Sequence, residues 1–157
     1  MGTVDLRGFR DPLEPVRRKS EWELDAAVAR LAAARQRHVT SSEGLDSAQQ
    51  ALDAHSAQAA LAWGQRADPA AHTQAVGFIA VAHTQLQALV QEEARLRAEV
   101  EQAQVDAIER QRKLELLAQH RTRALDEYRQ TQVRRDTTQA DEAWLRRPAG
   151  SGDGGQE

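Results

Sequence analysis

Five histidines are the first side chains in this sequence that could do chemistry: His38, His55, His72, His83 and His120. Two imidazoles share a metal from one helix face when they stand four residues apart, and none of these does; no HExxH pattern occurs. His38 falls in a leucine repeat and reads as a polar interruption there, while the other four read as solvated. The chain has no cysteine, which removes thiolate ligands, thiol nucleophiles and disulfides. Ser41 and Ser42 lack the strand-turn-helix setting of a nucleophile, and no glycine-rich phosphate loop is present. Carboxylates are abundant, but they act as acids or bases only where a concave, water-poor site moves their pKa. The sequence offers no such site. We therefore expect no catalytic residue, no metal, no cofactor and no enzymatic activity.

Composition explains why a pocket is missing. Aromatic residues make up 4% of the 157 residues and charged ones 29%, with a mean hydropathy of −0.70. Ala, Leu, Arg, Gln and Glu dominate, the profile of long helices and coiled coils. The net charge is −3 and the pI about 6.0, which gives no reason to expect a nucleic-acid partner. Residues 1–15 have no apolar core and carry Asp5, Arg7, Arg10 and Asp11, so no secretory leader is expected. The longest apolar stretch, residues 75–82, falls far short of the ~20 residues that span a bilayer. The expectation is a cytoplasmic protein with no direct membrane insertion.

The elements follow from punctuation and period. Residues 1–11 read as a flexible lead-in. Asp11-Pro12 and Glu14-Pro15 place proline where a first helical turn tolerates it, so helix 1 is expected over about residues 12–66. Leu24, Leu31, Leu45 and Leu52 recur every seven residues, with His38 on the missing beat. Taken as d positions, they put Val28, Arg35, Ser42, Gln49 and Ser56 at a, a weak but in-phase seam. Thr40 and Glu43 have capping-box spacing, yet the phase survives across them. We expect a strained or mobile stretch at residues 40–44 within one helix.

Gly64 can end helix 1 in a left-handed cap, and Asp68-Pro69 supplies an N-cap and a favoured first residue. So short a connection makes the helices antiparallel. Helix 2, about residues 69–147, carries a seam of Ile79, Ala82, Leu86, Leu89, Glu93, Leu96, Val100, Ala103, Ala107, Arg110, Leu114, Leu117, Arg121, Ala124 and Tyr128. Glu93–Arg97, Asp106–Arg110, Glu109–Lys113 and Glu142–Arg146 stand in the favourable acid-before-base order. Residues 148–157 read as a disordered tail.

The fold class is thus all-α: one antiparallel coiled-coil hairpin over residues 12–147, its second helix longer and overhanging. Residues 122–147 then lack an intramolecular partner and offer a docking surface. Near the turn, Phe78 sits in an apolar stretch. It either caps the hairpin end together with Trp63 or forms an exposed docking patch. Arg134, Arg135, Arg146 and Arg147 could meet phosphate, but Asp136, Asp141 and Glu142 stand among them, which favours a protein-binding helix end.

The last third of the chain reads Arg110-Gln-Arg-Lys-Leu-Glu-Leu-Leu, His120-Arg, Glu127-Tyr128-Arg129, Arg134-Arg135-Asp136, Asp141-Glu142-Ala143 and Arg146-Arg147. This resembles the FliJ family of flagellar export proteins, and by architecture the resemblance extends over the whole chain. It implies a central-stalk component of a type III protein export apparatus, of the flagellar or the YscO-like virulence kind. Such a protein binds the hexameric export ATPase, links it to the export-gate membrane protein, and in some members handles export chaperones. It would be cytoplasmic, held peripherally at the inner membrane through the apparatus. Carried over by position, Tyr128, Arg134, Arg135, Asp141, Glu142, Arg146 and Arg147 would face the ATPase, and Phe78 the gate. The tyrosines that several members carry in helix 1 are absent; Leu45, Leu52 and His55 occupy that region. The alternative reading is a structural coiled-coil adaptor or self-assembling scaffold unrelated to export.

Overall fold

Two Asp-Pro pairs start the two helices of the protein. The computed structural model describes residues 8–65 and 68–146. The Asp11 carboxylate accepts a hydrogen bond from the Leu13 N–H at 2.9 Å, and Asp68 accepts one from the Ala70 N–H at 3.1 Å. In each case proline occupies the position whose missing N–H would have had no partner. Helix α1 spans Glu14–Gly64 and helix α2 spans Pro69–Leu145. Among the described residues there is no strand.

The end of α1 differs from expectation. Gly64 stays in the right-handed helix, without the positive φ of a left-handed cap. The last turn instead tightens, the Gln65 N–H donating to the Ala62 carbonyl at 3.2 Å. The stretch at residues 40–44 is helical throughout. The Thr40 hydroxyl donates back to the Gln36 carbonyl at 3.1 Å, so it serves the existing helix and caps no new one.

Contacts divide the chain into two compact units, residues 21–112 and residues 1–20 with 113–157. In the first, α1 and α2 pair antiparallel. Residue numbers fall on α2 as they rise on α1: Glu23 meets Arg110 at 3.1 Å, Arg30 meets Asp106 at 3.2 Å, and Arg37 meets Glu99 at 3.1 Å. These exposed pairs contribute about 0.2–1 kcal/mol each at most, so they mark the register more than they stabilise it. The expected pairs within α2, Glu93–Arg97 and Asp106–Arg110, also close, at 2.7 and 3.0 Å.

The seam of α1 corrects the sequence reading. Leu24, Leu31, His38, Leu45 and Leu52 all face inward, but the positions alternating with them are Ala27, Ala34, Ser41 and Ala48. Ala27 and Ala34 are 1% and 3% exposed, whereas Val28 is 51% exposed and Arg35 and Gln49 lie in solvent; Ser42 and Ser56, expected beside them, are half-buried. The leucines are therefore a positions, with small residues at d. Burying Arg35 and Gln49 would strip water from polar groups without partners, whereas the alanines cost nothing to bury and let the backbones approach. On α2 every seam position expected between Ile79 and Arg110 is buried or half-buried. The result is an all-α antiparallel coiled-coil hairpin with a thin core.

In the second unit, Leu13, Arg17 and Ser20 turn inward from the amino-terminal side, as do Leu114, Leu117, Ala124, Leu125, Tyr128 and Gln132 from α2. Arg121, expected in the seam, is exposed, because Ala124 and Leu125 share the inward face one turn later. The overhang begins later than expected, since exposure becomes unbroken only from Val133 to Arg146. Residues before α1 extend its cover: the Phe9 ring lies edge-on against Tyr128, centroids 5.7 Å apart. Residues 1–7 of the expected lead-in, Arg66 at the expected end of helix 1, Arg147 and the expected tail at 148–157 lie outside the described residues.

This register makes separable predictions for chemical denaturation. Leu52→Ala, at a residue 3% exposed, should cost about 2–4 kcal/mol. Ala34→Leu should overpack the seam and cost about 1–3 kcal/mol, while Val28→Ala should stay within about 0.5 kcal/mol of the parent.

Candidate functional site

The most buried ionisable group of the seam is Glu93, 8% exposed. One of its oxygens, Oε1, meets both His38 Nε2 and Arg97 Nη2, each at 2.7 Å. The Arg97 hydrogen bond first, and that of His38 second, hold the Glu93 carboxyl below its usual 4.5 against the opposing effect of burial. A carboxylate stabilised in its charged form is a poor proton donor near neutrality, so this cluster is a polar lock in the seam. At the adjoining position, hydrogen bonds from Arg95 lower Glu92, and the same pair raises Arg95 further.

The remaining histidines are scattered. His55 lies edge-on to Phe78 at 5.0 Å and His72 lies against Trp63 at 3.9 Å, while His83 and His120 are exposed. Among the described residues no group of three or more His, Asp or Glu side chains could hold a metal ion. What remains for function is surface.

Near the turn, Phe78 is 54% exposed. It does not cap the hairpin with Trp63. The antiparallel register sets 55 opposite 78 and 63 opposite 72, so each aromatic takes its own histidine. Leu61, Trp63, Val76 and Val81 are exposed around it. A groove of about 440 Å³ runs between the helices, lined by His55, Ala59, Ala62, Ala75, Phe78 and Ile79. Alanine is the reason for the groove, since it fills the seam too thinly to close it.

The other candidate residues lie late in α2. Arg134, Arg135, Asp141, Glu142 and Arg146 are all exposed, with Glu142 and Arg146 paired at 3.5 Å as expected. Helical spacing puts Arg135, Glu142 and Arg146 on one stripe. Val133, Ala140 and Trp144 form a second stripe on the opposite side, Trp144 being 70% exposed. Tyr128 lies two turns before Arg135 on the first of these stripes, half-buried against Phe9. Sequence reasoning passed over Phe9 and Trp144; the available signals were an aromatic just before the Asp11-Pro12 cap and a tryptophan beside Arg146 in an otherwise polar turn. The structure thus gathers the basic and acidic residues into one helix end and leaves Tyr128 beneath the chain's own amino-terminal segment.

Fold and surface together define an all-α helical-hairpin protein with exposed apolar and charged surfaces. No helix among the described residues is long and apolar enough to cross a membrane. The model of the flagellar FliJ protein family matches residues 9–152. The chain belongs to the FliJ family, whose members are structural components of the flagellar protein export apparatus and are not known as enzymes. Membership sets aside a scaffold unrelated to export. Comparison with curated proteins and with solved structures finds no significant match.

The lock at Glu93 makes stability depend on acidity. Because its folded pKa lies below 4.5, its contribution is complete above that value and is lost as pH falls through the folded one. The melting temperature should fall more steeply below pH 4.5 in the parent chain than in Glu93→Gln; parallel curves would contradict the assignment.

Proposed function

We propose that the chain is a central-stalk component of the flagellar type III export apparatus, binding the hexameric export ATPase through the late part of α2 and the export-gate protein through the surface around Phe78. Family membership supports the apparatus; the surfaces support the division of labour. The observation that carries the ATPase assignment is the bare helix of residues 133–146. A single helix exposed on every side can enter a central cavity. Arg135, Glu142 and Arg146 on one stripe, with Trp144 on the other, supply the anchors that interfaces favour. Arg147 extends the same basic end by sequence.

The gate assignment rests on Phe78 and its groove. An apolar ring left half-exposed beside a hollow of alanines fits an apolar side chain presented by a partner. Held between the two partners, the chain would lie peripherally at the inner membrane. Salt bridges within one helix resist unwinding without fixing a partner, and the Glu142–Arg146 pair is weak enough to be exchanged for intermolecular contacts.

If this is right, the purified chain stimulates ATP turnover by its cognate export ATPase. Arg134→Ala with Arg135→Ala, or Arg146→Ala with Arg147→Ala, should weaken binding roughly tenfold or more. Phe78→Ala should leave that stimulation intact while reducing association with the gate protein in a pull-down. An intact chain without effect on turnover counts against the proposal.

A further inference from the structure

Residues 8–10 do something the family assignment does not require. Asp11 and Pro12 end the helical path, so the chain ahead of α1 turns aside. The Phe9 ring meets Tyr128 edge-on, with the rings inclined at 63°. Gly8 passes so close that a Cβ built on it would stand 2.7 Å from the Tyr128 hydroxyl oxygen. That is well inside van der Waals contact, so a larger residue there would force the tyrosine or the strap to shift. Beside this contact the packing is loose: a hollow of about 510 Å³ opens between Phe9, Arg10 and Asp11 on one side and Glu14, Pro15 and Arg18 on the first turns of α1.

We propose that residues 8–10 are a strap that masks Tyr128 and competes for it with the export ATPase, so that binding requires the strap to lift. The inference rests on the reading above that the late part of α2 is the ATPase surface. Three features support it. The strap meets α2 at Tyr128, one turn before Gln132, the last half-buried residue ahead of the open helix. It is held by one aromatic pair and a glycine approach, with no hydrogen bond or ion pair to α2 among those found at Gly8, Phe9 and Arg10. The hollow on its α1 side leaves it loosely packed against the first turns of that helix. Masking a face at so small a cost lowers apparent affinity by the fraction of chains in which the strap is down.

Tyr128 is the only tyrosine in the chain, which provides a clean reporter. With 3-fluorotyrosine incorporated, the ¹⁹F resonance of the full-length parent should move to a solvent-exposed position in Phe9→Ala and in Gly8→Val, two changes that lift the strap by different means. Titration with the purified ATPase hexamer should show both variants binding about 2- to 10-fold more tightly than the parent, and Tyr128→Ala binding more weakly. A resonance unmoved by either change overturns the strap. Weaker binding by Tyr128→Ala with unchanged or weaker binding by the strap variants overturns the competition and leaves the ATPase surface standing. Should no form of the chain bind the hexamer, the functional reading fails, and the competition with it, while the resonance still reports whether the strap exists.

Discussion

The structure depends on how closely two helices can approach along a stripe of small residues. Ala27, Ala34, Ser41 and Ala48 interleave with the leucines of α1 and leave the partner helix room to lie against the backbone. Close approach gives many weak dispersion contacts, but the area buried is small. The core is correspondingly thin: among the described residues, Ala27, Ala34, Leu52, Leu96 and Ala107 are the buried apolar side chains. A seam this narrow cannot cover the rest of either helix. Exposed apolar residues at the turn are a consequence of the same narrowness.

A thin apolar seam specifies its register poorly, and polar groups supply what leucine and alanine do not. Shifting the pairing by one heptad would leave alanine against alanine in several places, but it would separate Glu93 from His38. Glu93 would then be buried without its cross-helix partner, which is costly even though a buried ionic group adds little stability where it is satisfied. The flanking Arg30–Asp106 and Arg37–Glu99 pairs act in the same sense. Specificity here comes from the penalty for mispairing.

Much of this was legible in the sequence because it is periodic. The Asp-Pro starts, the heptad leucines and the seam of α2 as far as Leu117 follow from hydrogen-bond geometry and helical repeat, and they emerge where expected. The second seam position of α1 was not legible from period alone, since Val28 and Ala27 lie on either side of the same leucine stripe. Desolvation of Arg35 and Gln49 decides between them, and that requires weighing what burial would cost each side chain. The left-handed cap at Gly64 failed for a related reason: glycine permits that conformation without requiring it. At the candidate surfaces the charged end of α2 and Phe78 could be picked out by residue type. Their neighbours could not, because the pairing of Phe78 with His55 and the cover of Tyr128 by Phe9 join residues far apart in sequence.

The most direct test of the seam uses the absence of native cysteine. Single cysteines placed at residues 27, 28, 34 and 35 would be labelled with a small maleimide under native conditions and their rates compared. Slow labelling at 27 and 34, with fast labelling at 28 and 35, is the result that close packing along the small-residue stripe requires. Protection at 28 and 35 with ready reaction at 27 and 34 would mean that α1 faces its partner with the other stripe, and the account of the fold would be wrong.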